Sequence, residues 1–447
     1  MTGFFMPNTT LNSAHVFLVC IASMVAGVGF FGVMTFLYMT DVLGKLFFSQ
    51  DKDWVYHLQI IGLFIISYVA MPLGGFLIGR YGDTHGRRPA LIISLLMMAI
   101  CTLIMGFLPT IAQVGMMAPL LFIIAKLAQS MAFGGLIPTL WVFVSEHLPS
   151  RYVGLGLGVV SAISLMAILV VLGLIFILES QMTQEQILQI GWRIPFIVGG
   201  ILGLILLMPV YRLDETPAFG KPEHTPIDTP TLSIHTFAKQ IHPKKDGLFY
   251  RFISQHLAVL LPAITLSWLS ISLMVIIALL LPNLINAGFV LSESILRLGN
   301  IISIVFMMIG CVFYGFMVDY TNASKVMSLG GLFFILQTML FFGHLSSGGG
   351  LILIFFALLG FSGGIIATAP VVVVRLFDVS SRLTYVGMIY AIVYALVSGA
   401  LPFVLGYATF HVRLAPALYL ALVVITAVFI SFYVYHLPSA QAEKRLE

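Results

Sequence analysis

Apolar runs long enough to cross a bilayer recur along most of this chain, and they constrain its fold more than any other feature. A spanning helix needs ~20 apolar residues. Runs of that kind fall at roughly 15–38, 56–79, 89–109, 117–144, 153–178, 192–211, 256–282, 296–318, 326–345, 350–374, 383–408 and 414–436, which predicts twelve spans. Only 9% of the 447 residues are charged, where a soluble domain carries about a quarter. A transmembrane barrel would show short alternating segments instead. The expected fold is an all-α polytopic membrane protein. Residues 1–14 contain no Lys or Arg, so the first run reads as a retained helix and not as a signal peptide.

Positive charge sorts by side. With the N-terminus cytoplasmic, fifteen of the 21 Lys and Arg fall on that face, five (Lys45, Lys52, Arg193, Arg297 and Arg413) on the other, and Lys126 within a span. The positive-inside bias thus places both termini in the cytoplasm. The net charge of +4 follows from this asymmetry and calls for no nucleic-acid partner. Cys20, Cys101 and Cys311 lie in apolar runs without metal-ligand spacing. There is no Walker A sequence and no H-E-x-x-H motif, so no metal or cofactor is expected. Gly360-Phe361-Ser362-Gly363-Gly364 satisfies G-x-S-x-G, but inside an apolar run. A hydrolase elbow needs a strand before it and a helix after it, so no enzyme is expected.

The chain repeats itself. Between the second and third runs lies GGFLIGRYGDTHGRRP, residues 74–89, whose skeleton is Gly79, Asp83, Gly86, Arg87 and Arg88. A worn copy follows as Gly315, Asp319, Asn322 and Lys325, with Asp319 236 positions after Asp83. The pair Gly134–Gly135 returns as Gly363–Gly364, each followed by an acid and a base: Glu146 with Arg151, and Asp378 with Arg382. The expected organisation is an N-terminal six-helix part (1–211), a polar, proline-rich cytoplasmic linker (212–254) with an amphipathic stretch near 232–240, and a C-terminal six-helix part with a short tail (255–447). Parallel repeats of this kind put a substrate path between the parts, near the midplane. Asp83, Arg87, Arg88, Glu146, Arg151, Asp319, Asp378 and Arg382 are the expected gating residues, because contacts at helix ends can form in one conformer and break in another.

Three blocks then resemble the major facilitator superfamily, and within it the metabolite:proton symporter group that includes proline/betaine, α-ketoglutarate, citrate and shikimate carriers. They are the hinge at 74–90; GWRIPFIVGG at 191–200 with RLDETPAF at 212–219; and Lys126, Gln129, Gly134, Gly135, Glu146 and Pro149 in the fourth run. The resemblance implies a bacterial inner-membrane carrier that imports its substrate with protons by alternating access. Three departures stand beside it. The group usually carries Glu-Trp-(Phe/Tyr)-Asp where this chain has Gly29-Phe30-Phe31-Gly32. It usually carries Gly-Gly-Glu where this chain has Gly134-Gly135-Leu136, and Arg where this chain has Lys126.

Lys126 is the one charge that the sequence places deep in a span. Such a charge costs at least ~2.5–3.5 kcal/mol to insert and is functional by default. It would attract an anion or titrate in place of the missing acids. Arg193, Arg297 and Arg413 would bias an outer vestibule toward anions. Gln129, Phe30, Phe31, Trp268, Tyr390 and Tyr394 are further substrate or coupling candidates, since aromatic faces can also hold a quaternary ammonium. The expected substrate is a small organic anion (a carboxylate or polycarboxylate) or a zwitterion, carried by a lipid-embedded monomer. The alternatives are an uncoupled facilitator of the same substrates and a transporter-like sensor that moves nothing.

Overall fold

The computed structural model describes residues 10–48, 53–219, 248–289, 291–347 and 351–435. Among them it is all-helical, with no strand. The long helices are α1 (Ser13–Tyr38), α2 (Asp53–His85), α3 (Arg87–Phe107), α4 (Met117–His147), α5 (Val153–Gln181) and α6 (Arg193–Val210). After the linker come α7 (Leu248–Met274), α8 (Glu293–Tyr320), α9 (Ala323–Ser347), α10 (Ile352–Gly363), α11 (Arg382–His411) and α12 (Ala415–Tyr435). Among the described residues, eleven stretches are long and apolar enough to cross a membrane. The helix outside that set is α2, which covers the expected second span.

Local chemistry sets the helix limits. Asn12 caps α1, its side-chain oxygen accepting from His15 N–H at 2.9 Å. The hinge between α2 and α3 narrows to one residue, Gly86, at φ +113°, a conformation that glycine adopts without steric cost. Pro89 sits in the first turn of α3, where its missing N–H would have no intrahelical partner anyway.

The boundaries depart from the sequence expectation in two places. α7 begins by Leu248, so residues 248–254 of the expected linker are helical; residues 220–247, including the amphipathic stretch near 232–240, lie outside the described residues. Pro138 and Pro370 are expected to kink their helices alike. Instead α4 runs unbroken through Pro138, while α10 gives way to a 3-10 turn, Gly364–Ala367, before Thr368–Arg375. A proline cannot donate to the carbonyl four residues back. For Pro370 that carbonyl is Ile366, and the Ser270 hydroxyl of α7 donates to it at 3.4 Å. Pro282 repeats the device: α7 loosens into a π-turn, Val275–Leu280, and the Asn300 amide of α8 donates to the Ala278 carbonyl at 3.4 Å.

The helices pack in two groups. α1 lies on α5, α2 on α4, and α3 on α4 and α6; α8 lies on α10, α9 on α10 and α12, and α7 on α11 and α12. The groups meet along two seams, α2 with α11 and α5 with α8. Both seams are closed by glycines, because only a missing Cβ lets two helix backbones come so near. A Cβ on Gly75 would stand 2.4 Å from the Gly387 carbonyl oxygen, and one on Gly154 2.4 Å from that of Gly315.

Candidate functional site

Between the groups lies a cavity of about 300 Å³. Its wall comes from α1 (Val33, Met34, Phe36, Leu37, Tyr38), α2 (Ser67, Tyr68, Met71) and α4 (Lys126, Ser130). The π-turn after α7 and the short helix that follows it, Leu281–Gly288, add Val275, Leu279, Leu280 and Asn283, and α11 adds Tyr394, Ser398, Gly399, Pro402 and Phe403. Among the described residues, Lys126 is the one charged residue in this wall, and it is 3% exposed. Its ammonium donates to Gln129 Oε1 at 2.8 Å and stands 4.0 Å from the centre of the Phe36 ring. The Gln129 amide in turn donates to Thr102 Oγ1 at 2.8 Å, and the Thr102 hydroxyl to the Met98 carbonyl at 2.7 Å. Among the described residues, no carboxylate oxygen lies within 4.0 Å of the ammonium. Gly32 makes room for this chain of bonds, since a Cβ there would approach Gln129 Nε2 and Thr102 Oγ1 to 3.2 Å.

The other expected substrate residues lie at different depths. Tyr394 lines the cavity, with Tyr68, Phe133 and Tyr390 around its ring at 6.4, 5.4 and 5.7 Å. Tyr390 is one layer away, edge-on to Trp141 at 4.9 Å. Phe30 packs edge-on to Phe133 at 5.2 Å, and Phe31 lies against Gly199 of α6. Trp268 donates its indole N–H to the Tyr419 hydroxyl at 2.7 Å, joining α7 to α12. Gln129 touches Lys126 from behind the wall. The three arginines of the expected vestibule stand outside the cavity lining. Arg193 donates to the Gly106 and Leu108 carbonyls, both at 2.9 Å, where a cation favours the C-terminus of α3. Arg297 pairs with Glu293 at 3.7 Å on the exposed surface, and Arg413 is exposed near Gly288.

The expected gating residues gather at the opposite end. Lys126 and Glu146 are twenty residues apart on α4, about 30 Å at 1.5 Å per residue. Asp83 accepts from the N–H groups of Leu383 and Thr384 at 3.1 and 2.8 Å and from the Thr384 hydroxyl at 2.6 Å, capping α11 of the other group. Asp319 does the same in reverse, accepting from Gly154 and Leu155 N–H at 2.7 Å each, at the start of α5. A carboxylate is favoured there because the N-terminal N–H groups carry partial positive charge. Arg87 reaches Asp83 (3.4 Å) and Glu146 (3.2 Å) and donates to the Val379 carbonyl. Arg382 meets the other oxygen of Glu146 at 3.0 Å. Arg88 donates to the Tyr211 carbonyl. Arg151 is exposed in the short turn before α5, and Asp378 is half-buried in the turn before α11.

One member of this cluster has no role in the sequence reading beyond its place in a motif. Glu215, in the block after α6, accepts from the N–H groups of Arg87 at 2.9 Å and Arg88 at 3.1 Å. It lies so close to the hinge that a Cβ on Gly86 would meet its Oε2 at 2.3 Å. Two of the blocks quoted above are thus one physical object. Thr102, Tyr68 and Asn283 are also absent from the sequence-based candidates, whereas Ser130, which the sequence offers as a polar residue able to line the path, does line the cavity.

Comparison with known proteins agrees with this architecture. A family model described as the Major Facilitator Superfamily matches residues 19–282, more than half of the chain. The proline/betaine transporter of Salmonella typhimurium is 33% identical over 189 residues, 42% of this chain and 37% of that protein; the aligned part is thus well under half of the relative's length. The proton:xylose symporter XylE of Escherichia coli superposes with a TM-score of 0.74 at 14% identity, over 95% of this chain and 96% of XylE. The human organic anion transporter MFSD10 does so with a TM-score of 0.66 at 14% identity, over 93% and 99%.

Proposed function

This chain belongs to the Major Facilitator Superfamily, and from that premise we propose that it is a secondary transporter of the bacterial inner membrane. It imports a small organic anion or zwitterion by alternating access, with protons as the coupled ion. In this reading it crosses the membrane twelve times, both termini are cytoplasmic, and residues 1–211 and 255–447 are two six-helix bundles joined by the 212–254 linker. It works as a monomer.

The observation that carries the reading is Lys126. A buried ammonium that faces a cavity with no carboxylate within 4.0 Å among the described residues is a site for a negative group. The seam supplies the gate: Asp83 and Asp319 each cap a helix of the opposite group, and Glu146 is shared between Arg87 and Arg382. With that end shut, the cavity opens toward the far face. Turning the bundles would break these contacts and expose the cavity to the cytoplasm.

One observation favours a second reading, the uncoupled facilitator: no Asp, Glu or His lines the cavity among the described residues. The two differ in energetics. An anion entering alone works against the membrane potential at ~2.3 kcal/mol per charge per 100 mV, so only coupled entry accumulates it. Purified protein in proteoliposomes, offered carboxylates, amino acids and betaines, is expected to concentrate its substrate under an imposed proton gradient. Equilibration that is indifferent to the gradient would favour the facilitator, and absence of any flux would end the transport reading.

A further inference from the structure

The cavity also specifies the kind of anion, if it is the substrate site as the transport reading takes it to be. We propose that it accepts a monocarboxylate with an apolar body, whose carboxylate lies between the Lys126 ammonium and the Ser130 hydroxyl. It excludes polycarboxylates and quaternary ammonium zwitterions.

The polar end is built from two residues one turn apart on α4, where positions i and i+4 share a face. Both line the cavity. The Lys126 ammonium has three N–H groups. One is taken by Gln129 and the Phe36 face lies beside it, which leaves donor capacity toward the cavity. Gln129 cannot serve the ligand itself, because its oxygen accepts from Lys126 and its amide donates to Thr102. Ser130 is 1% exposed, and its hydroxyl has no hydrogen-bond partner among the described residues. A hydroxyl at that depth is normally bonded. A carboxylate placed across this turn would take one charge-assisted bond from the ammonium and one from the hydroxyl, leaving neither group unpaired.

Among the described residues, the rest of the wall holds no second cation. Val33, Leu37, Met71, Leu279 and Phe403 present hydrocarbon, and the polar groups of Tyr38, Ser67, Tyr68, Asn283, Tyr394 and Ser398 are all uncharged, so a second carboxylate there would lose its water without gaining a counter-charge. A betaine meets a different obstacle. Its ammonium sits one methylene from its carboxylate, so bonding to Lys126 would bring two cations within a few ångströms. The Phe36 face, which could have held that ammonium, already has Lys126 over it. A cavity of about 300 Å³ is at the small end of ligand sites, which suits a short chain or a single ring.

The test uses the full chain in lipid nanodiscs and a matched set of probes: hexanoate, benzoate, adipate, glycine betaine and proline. Adipate is hexanoate with its terminal methyl replaced by a second carboxylate. Calorimetric titration is expected to show hexanoate or benzoate binding with adipate at least ~100-fold weaker, a difference of about 2.7 kcal/mol. Ser130→Ala should weaken the monocarboxylate about tenfold, Lys126→Met should remove it, and Lys45→Ala, on the exposed surface, should change nothing. Ser130→Ala keeps the proposal testable if Lys126→Met does not fold. Adipate or betaine binding as tightly as hexanoate, an unaltered Ser130→Ala, or no monocarboxylate binding would overturn it. The transport reading fails separately: hexanoate that binds without flux in proteoliposomes would end that reading and leave this one standing, and betaine flux would do the reverse.

Discussion

At Glu146 a single buried carboxylate faces two guanidinium groups, Arg87 at 3.2 Å and Arg382 at 3.0 Å. Removing one partner of a buried ionic cluster costs about 3–5 kcal/mol, because the charges left behind stay buried. Glu146→Gln is therefore expected to lower the thermal stability of the detergent-solubilised protein and to open the seam, measured as faster thiol labelling of a cysteine placed at Val379. Unchanged labelling would mean that the cluster does not hold the gate. The two charges differ in how far the sequence reveals them. Lys126 stands out because nothing else charged shares its apolar run. Glu146 reads as an ordinary acid at a helix end, and its burial depends on Arg382, 236 positions away; no local pattern encodes that distance. Phe30, Phe31 and Trp268 look like ligand-facing aromatics, yet face other helices, because aromatic content alone does not distinguish a helix's cavity face from its packed face.

Among the elements, the glycine seams make the sharpest demand. A Cβ on Gly75 has the Gly387 carbonyl oxygen 2.4 Å away, whereas one on Gly343 meets nothing within 4 Å. Gly75→Ala is expected to push α2 from α11 and cut uptake at least about tenfold at equal expression, with Gly343→Ala as the silent control. Equal uptake by the two variants would mean that the seam has slack. The small residues of the hinge signal close packing from sequence alone, but the partner helix does not show: Gly75 and Gly387 are joined only once the two groups dock. The π-turn after α7 is hidden for another reason. Pro282 announces a disturbance, but whether the helix kinks, breaks or bulges depends on Asn300 reaching the Ala278 carbonyl from a different helix.

For the molecule as a whole, the seams α2–α11 and α5–α8 are built alike, each with a carboxylate on a helix N-terminus and a glycine pair beside it. If one rocking motion opens both, Asp83→Asn and Asp319→Asn should each raise cytoplasmic-side thiol labelling, and the double variant should shift the equilibrium by the sum of the two free energies, within ~0.5 kcal/mol, as distant sites do. A double variant no more open than either single would mean that the seams do not share a motion. Much of this plan is legible in the chain: the recurrence of Asp83 at Asp319 and of the glycine pairs already implies two related parts. The placement of the cavity is not, because it arises where five helices fail to fill the space between the groups. Its solitary lysine carries an electrical consequence. A carrier that returns unladen takes an uncompensated positive charge outward through part of the field, whereas one holding a monoanion is close to neutral. An inside-negative voltage would then brake the unladen return by up to ~2.3 kcal/mol per 100 mV. Capacitive currents should appear in voltage-stepped membranes before any substrate is added, and vanish in Lys126→Met.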